Sequence, residues 1–250
     1  MRHFSLRADP LGGLDLFRAT PLEDLGVEAF FTSRRGGVSS GPYDSLNLGD
    51  HVHDDPSRVE HNRRRLAHAL GVHHLGFPRQ VHGTTLVEAT ELAQNSPRDA
   101  DAVATESSLP ALVLVADCLP VIVVDISAHR LVVAHAGWRG LAAGVLDTAL
   151  AGLDPSHVSV VIGPSISAKV YQVGPEVVRA HESFARHCVD DGGDRSRLDL
   201  RGAAATWLSA RGVAEDRIWV SREVTDGGGI FFSDRASRPC GRFAAVARWT

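Results

Sequence analysis

Short apolar runs rich in Val, Ile and Leu crowd the middle of the chain, at residues 111–115, 121–124, 131–134 and 158–162, with two more at 30–33 and 243–247. The four central runs do not alternate apolar with polar residues, so a strand built from any of them presents an apolar surface on both faces. Neither face of such a strand can meet water. Each run must lie in a sheet covered on both sides. The covering helices are announced by their ends. Asp55 and Pro56 precede Val59, Leu66 and Leu70 on one face, and Gly71 closes the segment. Near-helical spacing links Leu141, Val145, Ala149 and Leu153 over residues 138–153, and Val177, Val178, His181 and Phe184 over residues 175–188. Asp199 caps a fourth helix ending near Gly212. Sheets covered by helices, with functional loops at strand ends, are the expected architecture.

A chain of 250 residues, 44% hydrophobic and 22% charged, has enough apolar material for a real core and too much for a disordered segment. No repeat or Pro/Ser-rich linker divides it, so one domain over 1–250 is expected, its weakest joint the charged, Gly-containing loop 189–197. A net charge of −4 supplies no basic footprint, and nucleic acid is not an expected partner. Nor is a membrane, because no run reaches the ~18 apolar residues of a span. Three cysteines, Cys118, Cys188 and Cys240, are an odd and sparse set for a disulfide framework. The first 17 residues lack the unbroken apolar stretch of a signal peptide. A soluble cytoplasmic protein is the expectation.

Three segments place a metal-capable side chain beside glycine or at a strand end: Gln80-Val81-His82-Gly83, Ala116-Asp117-Cys118-Leu119-Pro120, and His135-Ala136-Gly137-Trp138-Arg139-Gly140. Their spacings are far longer than those of a zinc finger, so only the fold could assemble a site from them. Two imidazoles and one thiolate suit tetrahedral zinc with the fourth position open to water or substrate. The residues alone equally allow Cys118 to be a small buried hydrophobe and the histidines to be hydrogen-bonded loop residues. Two rival clusters, His51-x-His53-Asp54-Asp55 and His73-His74, read as solvated loops. Asp54 and Asp55 are needed at a helix start, and adjacent histidines are poor joint ligands for one ion.

A second constellation, Phe31-Thr32-Ser33-Arg34-Arg35-Gly36-Gly37-Val38-Ser39 with Ser45-Leu46-Asn47-Leu48-Gly49, combines guanidinium forks with glycines that permit close backbone approach. It suits an anion such as phosphate, or else a turn with its arginines in solvent. His135 to Gly140 runs from a strand into a helix start, whose amides also favour an anion. G-x-G-x-x-G, G-x-S-x-G, H-E-x-x-H and the Walker A lysine are all missing, which removes the standard signals of dinucleotide binding, serine hydrolysis, zincin proteolysis and P-loop chemistry.

These strings, together with Asp54-Asp55-Pro56, Asn62-Arg63, Asp99-Ala100-Asp101-Ala102 and Ile162-Gly163-Pro164-Ser165-Ile166, occur in one order over almost the whole chain and strongly resemble the YfiH family. It is also called the laccase-domain or peptidoglycan editing factor family. Ala-Asp-Cys-Leu-Pro and His-Ala-Gly-Trp-Arg-Gly are the most specific strings. The resemblance implies an α+β fold, a mixed β-sheet sandwich flanked by helices, and a zinc site held by His82, Cys118 and His135. It implies purine nucleoside phosphorylase activity on adenosine, inosine, guanosine or methylthioadenosine, with adenosine deaminase activity. Arg34, Arg35, Asn47 and Arg139 are then candidates for binding substrate and phosphate, and Asp117 for assisting proton transfers or orienting the Cys118 loop. Two departures fall outside the ligands: Val224-Thr225 where a Cys-Thr pair is expected, and Gln172 where Glu is frequent. Two other chemistries fit the same residues. One is an amidase editing a muramyl precursor, with Cys118 as nucleophile and His82 or His135 as base. The other is copper-dependent phenol oxidation, disfavoured by scattered ligands and a single methionine. A zinc-stabilised binding module, its site closed by a fourth protein ligand, is the non-enzymatic alternative.

Overall fold

The apolar runs become strands of two sheets packed face to face, in a computed structural model that describes residues 1–93, 98–227 and 229–250. The larger sheet orders its seven strands Arg2–Phe4, Ile218–Ser221, Val158–Ile162, Leu119–Asp125, Arg130–Ala136, Ala102–Thr105 and Leu86–Glu88, mixing parallel and antiparallel pairs. The smaller orders Arg7–Ala8, Leu16–Arg18, Val27–Thr32, Phe243–Trp249 and Ala111–Val115, every pair antiparallel.

Alternation along each strand explains why no face could be polar. Ile122, Val124, Val133 and Val161 of the larger sheet meet Phe31, Val113, Phe243 and Ala245 of the smaller. Their neighbours Val121, Val123, Val132 and Val160 turn outward and pack with Leu141, Leu146, Ala203 and Leu208 of the covering helices. On the far side of the smaller sheet, Phe30, Leu112, Leu114 and Val246 are buried with Leu66 and Ala67 of the helix Pro56–Ala69. The result is the expected mixed sandwich flanked by helices, and each fully buried Val, Leu or Phe contributes about 1.5–3 kcal/mol of transfer free energy. Among the described residues, no helix is long and apolar enough to cross a membrane.

The helix ends follow the sequence better than the helix lengths. Asp55 accepts from the Ser57 amide at 2.8 Å as an N-cap, and Gly71 adopts φ 68°. The segment 138–153 divides into Trp138–Ala143 and Val145–Leu150 at Gly144, whose φ of 96° breaks the helix. Leu141, Val145 and Ala149 still reach one core, which is why their spacing looked continuous. The segment 175–188 also divides, into Pro175–Val178 and Glu182–Arg186. There His181 is extended and its Nδ1 accepts from the Ser183 amide, starting the second helix. The loop expected at 189–197 closes a hairpin between Cys188–Asp190 and Ser196–Leu198. A short helix, Ala89–Ala93, had no sequence signal.

One connection positions the chemistry. Ala111–Val115 belongs to the smaller sheet and Leu119–Asp125 to the larger, so Ala116, Asp117 and Cys118 carry the chain across from one to the other.

Candidate metal centre

Cys118 ends this crossover, and the ladder beside it sets where His135 falls. Leu119 pairs with Ala136 and Pro120 with His135, placing the imidazole at the strand end nearest the thiol. His82 arrives from the loop before Leu86–Glu88. The ligand-capable nitrogen and sulfur atoms of the three residues lie within 4.8 Å of one another, with Cys118 Sγ 3.9 Å from His82 Nε2. His135 is buried, Cys118 half-buried and His82 exposed, so the cluster opens on one side. Gly137 makes the approach possible, because a Cβ there would stand 2.9 Å from both Cys118 Sγ and His82 Cδ2.

Asp101 ties the cluster together. Its carboxylate has 0% exposure and accepts from the amides of Val81 (3.1 Å), His82 (3.0 Å) and Gly83 (2.6 Å), and from His135 Nδ1 at 2.8 Å. With Nδ1 donating its proton to the carboxylate, Nε2 of His135 is the nitrogen left to face an ion, the usual arrangement behind a histidine ligand. His82 itself adopts φ 58°, a left-handed conformation uncommon outside glycine, and the three consecutive amides on Asp101 hold it there. Gln80 anchors the same loop to the smaller sheet by exchanging two 2.7 Å bonds with the backbone of Leu114.

Burial pushes the Cys118 thiol up, but the imidazoles of His135 and His82 outweigh it and bring its pKa down to about 6. Burial pushes His135 down, while the Cys118 thiolate and the Asp101 carboxylate lift it to about 9. A half-buried thiolate between two imidazoles, one oriented by a buried carboxylate, is a donor set that fits zinc with a position open. Among the described residues, it is the one cluster of three or more His, Cys, Asp or Glu side chains arranged to hold an ion.

The triad opens into a pocket of about 450 Å³. Asp117 and Arg139 also line it, whereas Arg34, Arg35 and Asn47 do not. Arg34 lies over Phe232 at 4.7 Å and donates to the Asp44 carbonyl, while the Arg35 amide donates to Ser33 Oγ. Asn47 is buried and fully occupied, bonding Asp54, the Gly49 backbone and the Arg242 amide. These residues brace the loops behind the pocket. Asp117 has φ 84° and accepts from Thr225 Oγ1 at 2.5 Å and the Arg235 amide at 2.7 Å, so both carboxylate oxygens are held. Thr225 thereby reaches the metal loop, while Gln172 bonds Asp191 at 2.8 Å. Of the rival clusters, Asp54 bonds Ser39 and Asn47, and His73 and His74 are exposed, but His51, expected in a solvated loop, lines the pocket. The sequence reading missed Asp234, Arg235, Arg238 and Arg242, which line the pocket from one loop, and Tyr171. No signal marked them: all but one of the 26 basic residues are arginine.

Fold and site together define an α+β protein built on a two-sheet sandwich, with a histidine–cysteine–histidine cluster able to hold a metal ion at the crossover between the sheets. The family model described as multi-copper polyphenol oxidoreductase laccase matches residues 28–250. A purine nucleoside phosphorylase of Pseudomonas aeruginosa is 39% identical over 88% of this chain and 92% of its own length. The purine nucleoside phosphorylase YfiH of Escherichia coli is 34% identical over 88% and 93%. Among solved structures, a Neisseria meningitidis protein superposes with a TM-score of 0.84 at 34% identity, covering 90% of this chain and 94% of that one. YfiH of Bacillus licheniformis gives 0.88 at 26% identity, covering 98% and 99%. The chain belongs to the YfiH, or laccase-domain, family.

Proposed function

We propose that the chain is a zinc-dependent purine nucleoside phosphorylase acting on adenosine, inosine, guanosine and methylthioadenosine, with adenosine deaminase activity at the same site. The observation that carries this reading is the convergence of His82, Cys118 and His135 in one pocket with Arg139, in a volume of about 450 Å³ that suits a small ligand. Two relatives named purine nucleoside phosphorylase, aligned over 88% of the chain, support it. In phosphorolysis a phosphate oxygen bonds to ribose C1′ as the bond to the purine nitrogen breaks, leaving ribose 1-phosphate and the protonated base. Bound at the triad, zinc supplies Lewis acidity for that charge movement and for the hydrolytic chemistry of deamination. The protein's part is geometric. Asp101 fixes the His135 ring and the His82 loop, Asp117 fixes the turn that presents Cys118, and the Arg139 guanidinium offers a fork to an oxyanion. Three free cysteines suit a reducing cytoplasm, where we place the activity.

Incubating the zinc-replete protein with adenosine, with and without phosphate, tests the reading. Adenine and ribose 1-phosphate forming only with phosphate, and inosine forming in both, are the expected products. Adenosine returned unchanged in both would remove the purine assignment.

One observation favours a second reading. Cys118, His135 and Asp101 line up as thiolate, imidazole and orienting carboxylate, the constellation of a cysteine nucleophile, which suits amide hydrolysis of a muramyl precursor. Activity that survives complete metal removal and is lost on alkylation of Cys118 would select it. Copper at the same three ligands is the remaining metal alternative, and metal analysis of the protein from its native cell decides between the two ions.

A further inference from the structure

Four arginines, Arg139, Arg235, Arg238 and Arg242, line the pocket that holds the triad, against two carboxylates, Asp117 and Asp234. The whole chain carries a net −4, so this wall runs against the molecule's overall charge. The four are not equivalent. Asp234 forms ion pairs with Arg238 and, at 3.3 Å, with Arg242, whose other nitrogen bonds the carbonyls of Cys240 and Gly241 at 3.1 Å. Both already share that one carboxylate. Among the described residues Arg235 meets no carboxylate: it bonds the carbonyls of Val170 (3.2 Å) and Gln172 (3.0 Å) and lies over the Tyr171 ring at 5.4 Å. Arg139 makes no hydrogen bond or ion pair among the described residues and stacks on Trp138 at 4.2 Å. Two guanidinium groups without a carboxylate partner among the described residues therefore line one pocket, Arg139 from the helix Trp138–Ala143 and Arg235 from the loop after Ser233. The Asp117 carboxylate, one residue from Cys118, holds the Arg235 amide at 2.7 Å and so fixes that loop relative to the triad.

We propose that Arg139 and Arg235 form a phosphoryl-binding subsite beside the triad, and that Asp234 is an internal counter-anion that lowers the subsite's affinity by pairing with the neighbouring Arg238 and Arg242. The proposal rests on the phosphorylase reading for its occupant, inorganic phosphate, and equally accommodates the phosphate of a nucleoside 5′-phosphate. Planar guanidinium forks match the oxygens of a tetrahedral oxyanion. The anchored backbone of Arg235 supplies the pre-organisation that two flexible side chains alone would lack.

The test compares wild type with Arg139→Ala, Arg235→Ala and Asp234→Asn, each first shown to carry the wild-type zinc content. Arg64→Ala, on the exposed face of the Pro56–Ala69 helix, controls for loss of one positive charge. Both arginine variants should raise the KM for phosphate by roughly tenfold or more while leaving the nucleoside KM within about twofold, since a charge-assisted bond to phosphate is lost. Asp234→Asn should lower the phosphate KM, and Arg64→Ala should leave it unchanged. A rise in nucleoside KM with phosphate KM unmoved overturns the proposal. Line broadening of inorganic phosphate in phosphorus NMR, measured without nucleoside, separates this subsite from the activity. Broadening lost in both arginine variants upholds the subsite even if no purine nucleoside turns over, and equal broadening in all proteins overturns it even if one does. Adenosine 5′-monophosphate run in parallel identifies the occupant: tighter, Arg-dependent binding than inorganic phosphate assigns the subsite to a phosphate carried by the nucleotide.

Discussion

The two walls of the pocket are built by different means. The triad wall is made of a strand end, a crossover and the His82 loop, with Asp101 fully buried and four bonds converging on its carboxylate to pin the loop to the strand. The arginine wall is an irregular segment, residues 233–242, whose Arg235 and Arg238 side chains are exposed and which meets the Cys118 turn through the carboxylate of Asp117. Metal ligands must be held to a few tenths of an ångström, and paired backbone supplies that tolerance. Recognition of a substrate's charge tolerates more movement, and a loop supplies it. Changes in the first wall should therefore alter metal affinity and changes in the second substrate affinity, with little crossing between them.

The largest expected effect is on the thiol. In metal-free protein the Cys118 thiolate absorbance should rise with a midpoint at about 6, where an ordinary cysteine has 9.0. Because this pKa is depressed in the folded protein, the stabilisation it brings is present at high pH and lost as pH falls through about 6. His135 has the opposite sign, its pKa raised to about 9, so its share is lost as pH rises through that value. The thiolate–imidazolium pair thus exists between the two. A midpoint near 9 would dissolve the electrostatic contrast between the walls.

Next comes Asp101→Asn, which keeps the shape but removes the charge and one acceptor from the His135 ring. Zinc affinity should fall by about 10- to 100-fold in competition with a chelating dye. An unchanged affinity would show that the strand end alone positions His135. Gly137→Ala is expected to cost about 1–3 kcal/mol in denaturant unfolding of the metal-free protein, because its methyl meets sulfur and ring at 2.9 Å. Loss of metal without loss of stability would mean that His82 moves aside. The smallest effect belongs to Asp55→Ala, far along the chain from both walls: a small loss of stability in denaturant unfolding from a lost cap, with zinc affinity unchanged.

The sandwich was legible because residues such as Ile122 and Val123 face opposite ways and both are buried, a demand that only covered sheets satisfy. The breaks at Gly144 and His181 were not, because apolar spacing persists across a kink when both halves pack on one core. His82 and Cys118 stand 36 residues apart, and no spacing argument joins them. Resemblance brought the triad forward, and strand register explains it. Asp101 stood within a quoted string without a role, since its work lies in tertiary bonds to residues 18 to 34 positions away. The resemblance brought Arg139 forward, but Arg235 was hidden among many arginines, and only the fold separates a guanidinium that faces a pocket from one that faces solvent.

X-ray absorption at the zinc edge, on protein loaded with one equivalent of zinc, tests the metal centre most directly. One sulfur at about 2.3 Å and two histidine nitrogens at about 2.0–2.1 Å, with a light fourth scatterer, are expected, and the sulfur should vanish in Cys118→Ser. A shell without sulfur, or one identical in the variant, would contradict a site built from His82, Cys118 and His135.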